Sequence, residues 1–229
     1  MRLPALALVD LDGTLIDTLP DLAYCVDQML SRFDLAPVGE ERVRGWVGDG
    51  IGALVERALA ARQTGAGGEH AASALELFME LYSEHTARRS RVYDGAREGL
   101  EYLHGAGIAL GCVTNKSERF TAKLLAAFEL DGYFPLVVSG DSVAHRKPHP
   151  MPLLHAAAHF DVEPADCVLI GDSRNDIEAA RAAGFGIICV SYGYHHGDDI
   201  RAGAPDAVVD SLAELPKLFD GSRRESATG

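Results

Sequence analysis

The stretch LALVDLDGTLIDT, residues 6–18, decides how this chain is read. A short apolar run ends in Asp10 and Asp12, with one leucine between them. Side chains alternate along a strand, so these two aspartates project the same way. A turn accounts for Gly13 and Thr14, and Thr14 with Asp17 matches a helix capping box. It does not account for two like charges so close. Neighbouring carboxylates raise each other's pKa unless a cation lies between them. A hard divalent ion with oxygen ligands, Mg²⁺ above all, relieves that repulsion. Asp17, the third carboxylate, reads as a helix-start residue outside the chemistry.

Working outward, the run 5–10 is the first of six short apolar segments. The others are 108–114, 135–140, 167–172, 186–191 and 206–210. Near-continuous apolar runs of this length suit parallel strands buried on both faces. Helical patterns alternate with them over 95–106, 117–128, 149–160, 174–184 and 211–219. Alternation of this kind implies right-handed crossovers and a doubly wound, mostly parallel α/β sheet. Residues 17–91 interrupt it. Leu19, Leu22, Val26, Leu30 and Phe33 keep a helical spacing, as do Leu75, Phe78, Met79 and Tyr82, and a further helix is expected over 50–62. The segment 63–71 reads as a loop and 221–229 as a disordered tail. The expected organisation is an α/β core from 1–16 and 92–220, with a helical cap from 17–91 inserted after the first strand.

Composition narrows the function. The chain has 229 residues, 47% hydrophobic and 24% charged, with a formal net charge of −13. Such a charge disfavours nucleic acid and anionic membranes as partners. An anionic substrate would then need positive charge supplied locally. Cys25, Cys112, Cys167 and Cys189 form no C-x-x-C pair and read as small buried residues in a reducing cytosol. The opening apolar run is too short for a membrane span and lacks a signal peptide's cleavage region, so a cytoplasmic location is expected. The oligomeric state is not legible.

Three further segments fall at predicted strand ends, where ligands bind in doubly wound sheets. In VTNK (113–116), Thr114 either fills the strand or donates its hydroxyl to a phosphoryl oxygen beside a helix N-terminus. In RKPHP (146–150), Lys147 is one of four lysines in the chain, and Pro148 and Pro150 stiffen its loop. A fixed ammonium is what phosphoryl transfer requires. In IGDSRND (170–176), Asp172 ends a strand as a metal-ligand candidate, while Asp176 completes a capping box with Ser173. His155 and His159 share a helix face but lack the glutamate of a zinc motif; His195 and His196 read as solvated.

Taken in order, with a helical insert after the first, DLDGTLIDT, VTNK, RKPHP and IGDSRND resemble the haloacid dehalogenase superfamily of phosphatases, over about residues 5–210. The cap stretch GWVGDGIGALVERAL (45–59) is similar to its phosphoglycolate phosphatase branch. That resemblance implies Asp10 as nucleophile and Asp12 as general acid–base. It implies Mg²⁺ held by the Asp10 carboxylate, the Asp12 carbonyl and the Asp172 carboxylate. Thr114 and the Asn115 backbone would bind phosphoryl oxygens, Lys147 would neutralise charge, and Asp176 would hold metal waters or Lys147. The chain departs from the branch at Asp94, where a proline is usual, which is expected to alter the stiffness of the cap hinge.

Relatives with other activities differ at identifiable positions. Dehalogenases lack the second aspartate, phosphonate-cleaving relatives need a cap lysine, and hexose-phosphate mutases carry a glutamate where this chain has Gly171. The expected activity is a phosphomonoesterase acting on a small phosphorylated metabolite, 2-phosphoglycolate first. A pyrophosphatase or a sugar or nucleotide phosphatase is the alternative, and a receiver-like phospho-acceptor module is the non-enzymatic one. Because the cap lacks lysine, an arginine or backbone N–H groups must meet the substrate's carboxylate; Arg44, beside the glycine-punctuated GWVGDG, is the candidate, against a solvated helix-end arginine.

Overall fold

The structure is a computed structural model, described here over residues 1–62, 71–195 and 199–219. The expected loop at 63–71 (all but its last residue), the tail at 221–229 and His196 lie outside those residues. In chain order the elements are β1 (Leu6–Val9), β2 (Ile16–Asp17), α1 (Leu19–Arg32), α2 (Glu40–Arg44), α3 (Ile51–Ala60), α4 (Ala71–His85) and β3 (Arg91–Val92). Then come α5 (Ala96–Gly105), β4 (Ala109–Val113), α6 (Glu118–Ala127), β5 (Leu136–Val138), α7 (Met151–Phe160), β6 (Cys167–Gly171), α8 (Arg174–Ala183), β7 (Gly186–Val190) and β8 (Ala207–Val209).

Six strands form one parallel sheet in the order β5-β4-β1-β6-β7-β8. Its strands are apolar throughout because both faces are covered. Along β1, Ala7 and Val9 face a cluster that includes Leu100 of α5 and Leu124 of α6. Leu6 and Leu8 face the opposite one, with Leu153 of α7 and Ala180 of α8. The chain moves outward from β1 through β4 to β5, then returns to the other side at β6. That reversal makes the gap between β1 and β6 the topological switch point, where such sheets open a crevice beyond their carboxyl ends. Asp10 follows β1 and Asp172 follows β6, so the two carboxylates flank it.

Helices α1 to α4 lie between β1 and β4 in the chain and build a separate apolar cluster. Val26, Leu54, Phe78 and Tyr82 are among its buried members, and Phe120 and Tyr194 join it from the sheet-bearing part. The segment leaves and returns through a ribbon of β2 paired antiparallel with β3, which the sequence patterns do not anticipate. Two residues per strand are too few to carry a period.

The ribbon also corrects the reading of Asp17. It lies in β2, not at the helix start; its carboxylate accepts from the Tyr194 hydroxyl at 2.9 Å and pairs with Arg91 at 3.2 Å. Thr18 occupies the cap position of α1 without a side-chain cap bond. Instead the Tyr194 hydroxyl accepts from the Thr18 and Leu19 N–H groups, at 2.8 and 3.0 Å. A helix start leaves its first N–H groups unpaired, and here a side chain distant in sequence meets them. The last expected helix, 211–219, opens with a 3₁₀ turn over Leu212–Glu214. All four cysteines are buried and free. No helix among the described residues is long and apolar enough to cross a membrane.

Candidate active site

The sheet delivers its polar residues one strand end at a time. Hydrogen bonds carry the ladder one residue past the strands, from the Asp10 N–H to the Ile170 carbonyl (2.9 Å) and from the Thr114 N–H to the Val138 carbonyl (3.0 Å). Asp10 and Thr114 are thereby fixed by backbone pairing. One cavity is lined by Asp10, Asp12, Thr114, Asn115, Lys147 and Asp172, with Lys116, Ser173, Asn175 and Tyr194. The helical segment supplies its other wall through Leu22, Val47, Gly48, Gly50, Ile51 and Leu54.

Lys147 stands at the centre. Its ammonium lies 2.9 Å from Asp10 Oδ1, donates to Asp176 Oδ1 at 2.6 Å and to the Val113 carbonyl at 2.8 Å. Burial favours the neutral amine, but Asp10 and Asp176 outweigh it and the net shift is upward, so the lysine stays charged. Asp176 Oδ2 accepts from the Asp172 and Ser173 N–H groups and the Ser173 hydroxyl. Ser173 and Asp176 do form a capping box at the start of α8. The cap and the clamp on Lys147 are two uses of one side chain, one through each oxygen.

Asp172 accepts from the Thr14 hydroxyl at 2.9 Å and from the Tyr194 N–H at 2.6 Å. Thr14 therefore serves this carboxylate and makes no capping box with Asp17. Gly13, at φ +88°, lets the chain turn beneath Asp172, because a Cβ there would overlap the carboxylate. Gly171 has a parallel constraint: a Cβ would collide with the Asp176 side chain. A glutamate at that position, as in the mutases, has no room.

Asp10, Asp172 and Asp176 are buried, and one carboxylate oxygen of each lies within 4.8 Å of the others. Burial, partly offset by Lys147 and reinforced by Asp176, raises the Asp10 carboxyl to about 7. Asp172 is also pushed up, by burial and then by Asp10 and Asp176. The buried Asp10 Oδ1 accepts no aligned hydrogen bond. Asp176 is the most heavily bonded of the three, with Lys147 on one oxygen and three donors on the other, whereas Asp172 has one neutral donor on each oxygen and no ammonium. Crowded, under-compensated carboxylates of this kind fit a hard divalent cation.

Asp12 sits apart from that cluster. It accepts from the Thr18 hydroxyl at 2.8 Å and is gripped through both oxygens by Lys116, at 3.1 and 2.9 Å. The Lys116 ammonium lies 4.9 Å from the centroid of the Tyr82 ring. Asn115 uses its side chain as a strap, donating at 2.8 Å to both the Gly48 and Lys147 carbonyls. Asn175 donates at 2.9 Å to Asp49, which Arg57 holds from the other side at 2.5 Å.

These segments, distant in sequence and meeting at one crevice, match a known family. A family profile described as haloacid dehalogenase-like hydrolase covers residues 7–190. The chain belongs to the haloacid dehalogenase-like hydrolases. Among the relatives of this hydrolase is a phosphoglycolate phosphatase of Nitrosococcus oceani, 47% identical over 96% of this chain and 98% of its own length. Another, from Nitrosospira multiformis, is 45% identical over 94% and 95%. A crystal structure of a predicted phosphoglycolate phosphatase from Haemophilus somnus superposes with a TM-score of 0.90 at 32% identity, over 95% of this chain and 99% of that one.

Arg44 takes a different place from the other residues singled out by sequence. It is exposed, stacks 5.5 Å from the Tyr194 ring centroid, and is not among the residues lining the cavity. Lys116, Asn175 and Tyr194 line the cavity without being singled out by the sequence. Lys116 carried a usable signal, since it ends the VTNK segment and is another of the four lysines. Tyr194 carried none, because its contacts depend on where a loop folds back. His195 is half-buried, with a ring nitrogen 3.2 Å from the Val190 carbonyl.

Proposed function

We propose that this hydrolase is a Mg²⁺-dependent phosphomonoesterase acting on a small phosphorylated metabolite, 2-phosphoglycolate first, through an aspartyl-phosphate on Asp10. The observation that carries the reading is the division of the carboxylates into two groups. Asp10 shares the Lys147 ammonium with Asp176. Asp12 stands beside it with a hydroxyl and a different ammonium. Two carboxylates in unlike surroundings are suited to unlike tasks.

In this mechanism an Asp10 carboxylate oxygen attacks phosphorus and the bond from phosphorus to the leaving alkoxide breaks. Asp12 gives that alkoxide its proton. Asp12 then takes a proton from water as the water oxygen attacks phosphorus, and the bond from phosphorus to Asp10 breaks to release phosphate. A covalent route divides one high barrier into two lower ones. Positioned proton transfer contributes roughly 10²–10⁴-fold. Thr114 and the N–H groups after it bind phosphoryl oxygens, and Lys147 holds Asp10 in place while balancing charge. Asp10, Asp172 and the Asp12 carbonyl would hold Mg²⁺, which when bound screens the phosphoryl charge from the attacking carboxylate. The helical segment acts as a cap whose apolar wall keeps bulk water from the first step.

Support for the choice of substrate comes from the relatives named above, which are phosphoglycolate phosphatases at 45–47% identity over nearly the whole chain. The test is a Mg²⁺-dependent phosphate-release assay over phosphoglycolate, pyrophosphate, sugar phosphates and nucleotides, with Asp10→Asn alongside. Phosphoglycolate should give the highest kcat/KM, and Asp10→Asn should lower kcat by about 10⁴-fold or more, as loss of a nucleophile does. A higher kcat/KM for pyrophosphate or a nucleotide overturns the substrate assignment. Substantial turnover by the variant overturns the covalent route.

A further inference from the structure

A substrate such as phosphoglycolate is anionic at both ends, and the expected partner for its carboxylate, Arg44, does not line the cavity. Two cations do so among the described residues, Lys147 and Lys116. Lys147 is fully committed, its three contacts going to Asp10, Asp176 and the Val113 carbonyl. Lys116 differs. Its two short ion-pair contacts go to the single Asp12 carboxylate, and Tyr82 is its other near polar and aromatic neighbour. It is buried, so a contact made there is poorly screened by water.

Position selects between the two. In the proposed reaction Asp12 protonates the leaving oxygen, so that oxygen lies within hydrogen-bond reach of Asp12. In phosphoglycolate a single methylene separates this oxygen from the carboxylate carbon. The carboxylate therefore lies within a few ångströms of Asp12, on the far side of the ester oxygen from phosphorus. Lys116 Nζ is already 2.9 Å from Asp12 Oδ2. A shift from a two-oxygen to a one-oxygen contact with Asp12 frees an N–H without breaking the ion pair.

We propose that Lys116 is the specificity-determining residue of this site, binding a carboxylate one carbon beyond the ester oxygen while it keeps hold of Asp12. The inference rests on the phosphomonoesterase reading above and assigns the half of the substrate that the reading leaves unpartnered. It makes the substrate class short phosphorylated 2-hydroxy acids. The core, not the helical segment, then reads the carboxylate, which explains how a cap without lysine serves a doubly anionic substrate.

The experiment compares phosphoglycolate with ethyl phosphate, in which a methyl group replaces the carboxylate. Both are assayed with Mg²⁺ on the native enzyme, K116Q, K116R and Arg44→Ala. The native enzyme should prefer phosphoglycolate. K116Q should lower its kcat/KM by roughly 10–100-fold more than that of ethyl phosphate, the range for losing one charge-assisted contact in a buried site. K116R, which keeps the charge, should retain part of the preference. Calorimetry with the inert pair 3-phosphonopropionate and propylphosphonate should show the same loss of discrimination in K116Q. Should the amide variant fail to fold, K116M replaces it in both measurements. Equal losses on both substrates would overturn the inference and leave Lys116 as a support for Asp12 alone. So would a preference erased by Arg44→Ala and kept by K116Q. A native enzyme that releases phosphate but does not prefer phosphoglycolate overturns the substrate reading itself, separately from the role of Lys116.

Discussion

The sheet-bearing part and the helical segment meet at one cavity and bring different things to it. Every ionisable side chain lining it comes from the strand ends and the loops after them: Asp10, Asp12, Lys116, Lys147, Asp172 and Tyr194. The helices supply apolar side chains and a glycine-rich turn. The strand ends are fixed by ladder hydrogen bonds and by a core packed on both faces, so they hold charges against their mutual repulsion. Besides the packing of Phe120 and Tyr194, the helical wall is joined across the cavity by side-chain hydrogen bonds from Asn115 and Asn175 to Gly48 and Asp49. The charged groups thus stand on the strand-end side of the cavity and the apolar wall on the helical side.

The sharpest way to break this contrast is to remove the cation on which the strand-end side depends. Lys147→Ala leaves Asp10 and Asp176 buried without their shared ammonium. Removing one partner of a buried ion pair costs about 3–5 kcal/mol. We expect a loss of that size in urea unfolding and a fall in kcat of about 10³-fold or more. A variant as stable as the native protein would mean that the carboxylates are relieved by something other than Lys147.

The next effect is a pH dependence confined to the same cluster. Asp10 has a folded pKa of about 7 against an ordinary 3.8, so between those values the folded protein holds more protons than the unfolded chain. Stability in the presence of a chelator should therefore fall as pH rises from 5 to 8. Mg²⁺ requires ionised carboxylates and should restore most stability at the upper end. At a hundred times its dissociation constant it would add about 2.7 kcal/mol, a shift of several degrees in Tm. Thermal melts at pH 5.5 and 8, with chelator and with Mg²⁺, check this. A metal effect equal at both values would contradict the assignment of Asp10 as a ligand.

The smallest effect belongs to the helical side. Asn175→Ala removes the bond to Asp49 without touching a carboxylate of the cluster. We expect KM to rise about 2–10-fold, the worth of one hydrogen bond, with stability nearly unchanged. A collapse of kcat with unaltered KM would move Asn175 from the strap into the chemistry.

The same contrast explains what was legible in the sequence. The core strands announce themselves because a parallel sheet covered on both faces requires unbroken apolar runs. A carboxylate at the end of such a run stands out, so Asp10, Asp12 and Asp172 were readable. Lys147 was readable because lysine is scarce in this chain. Contacts made by loops returning from far away were not. Tyr194 takes over the start of α1 and lends Asp172 its N–H, yet nothing around it in sequence marks either task. Thr14 and Asp17 fit a local capping pattern, and tertiary partners claimed both. A cap without lysine and a nearby glycine-rich turn point to Arg44, but neither says which way its side chain faces. Lys116 lies inside the VTNK segment, but its partner, Asp12, is 104 residues away and no local pattern links the two.

The central claim is that Asp10 carries the phosphoryl group during turnover. Rapid acid quench of the Mg²⁺-loaded enzyme with phosphate-labelled phosphoglycolate, followed by peptide mapping, tests it directly. The account predicts transient label on the peptide containing Asp10, chased off by unlabelled substrate, and no such label in Asp10→Asn. Label on a different residue, or full turnover with no labelled peptide at any time, would contradict it.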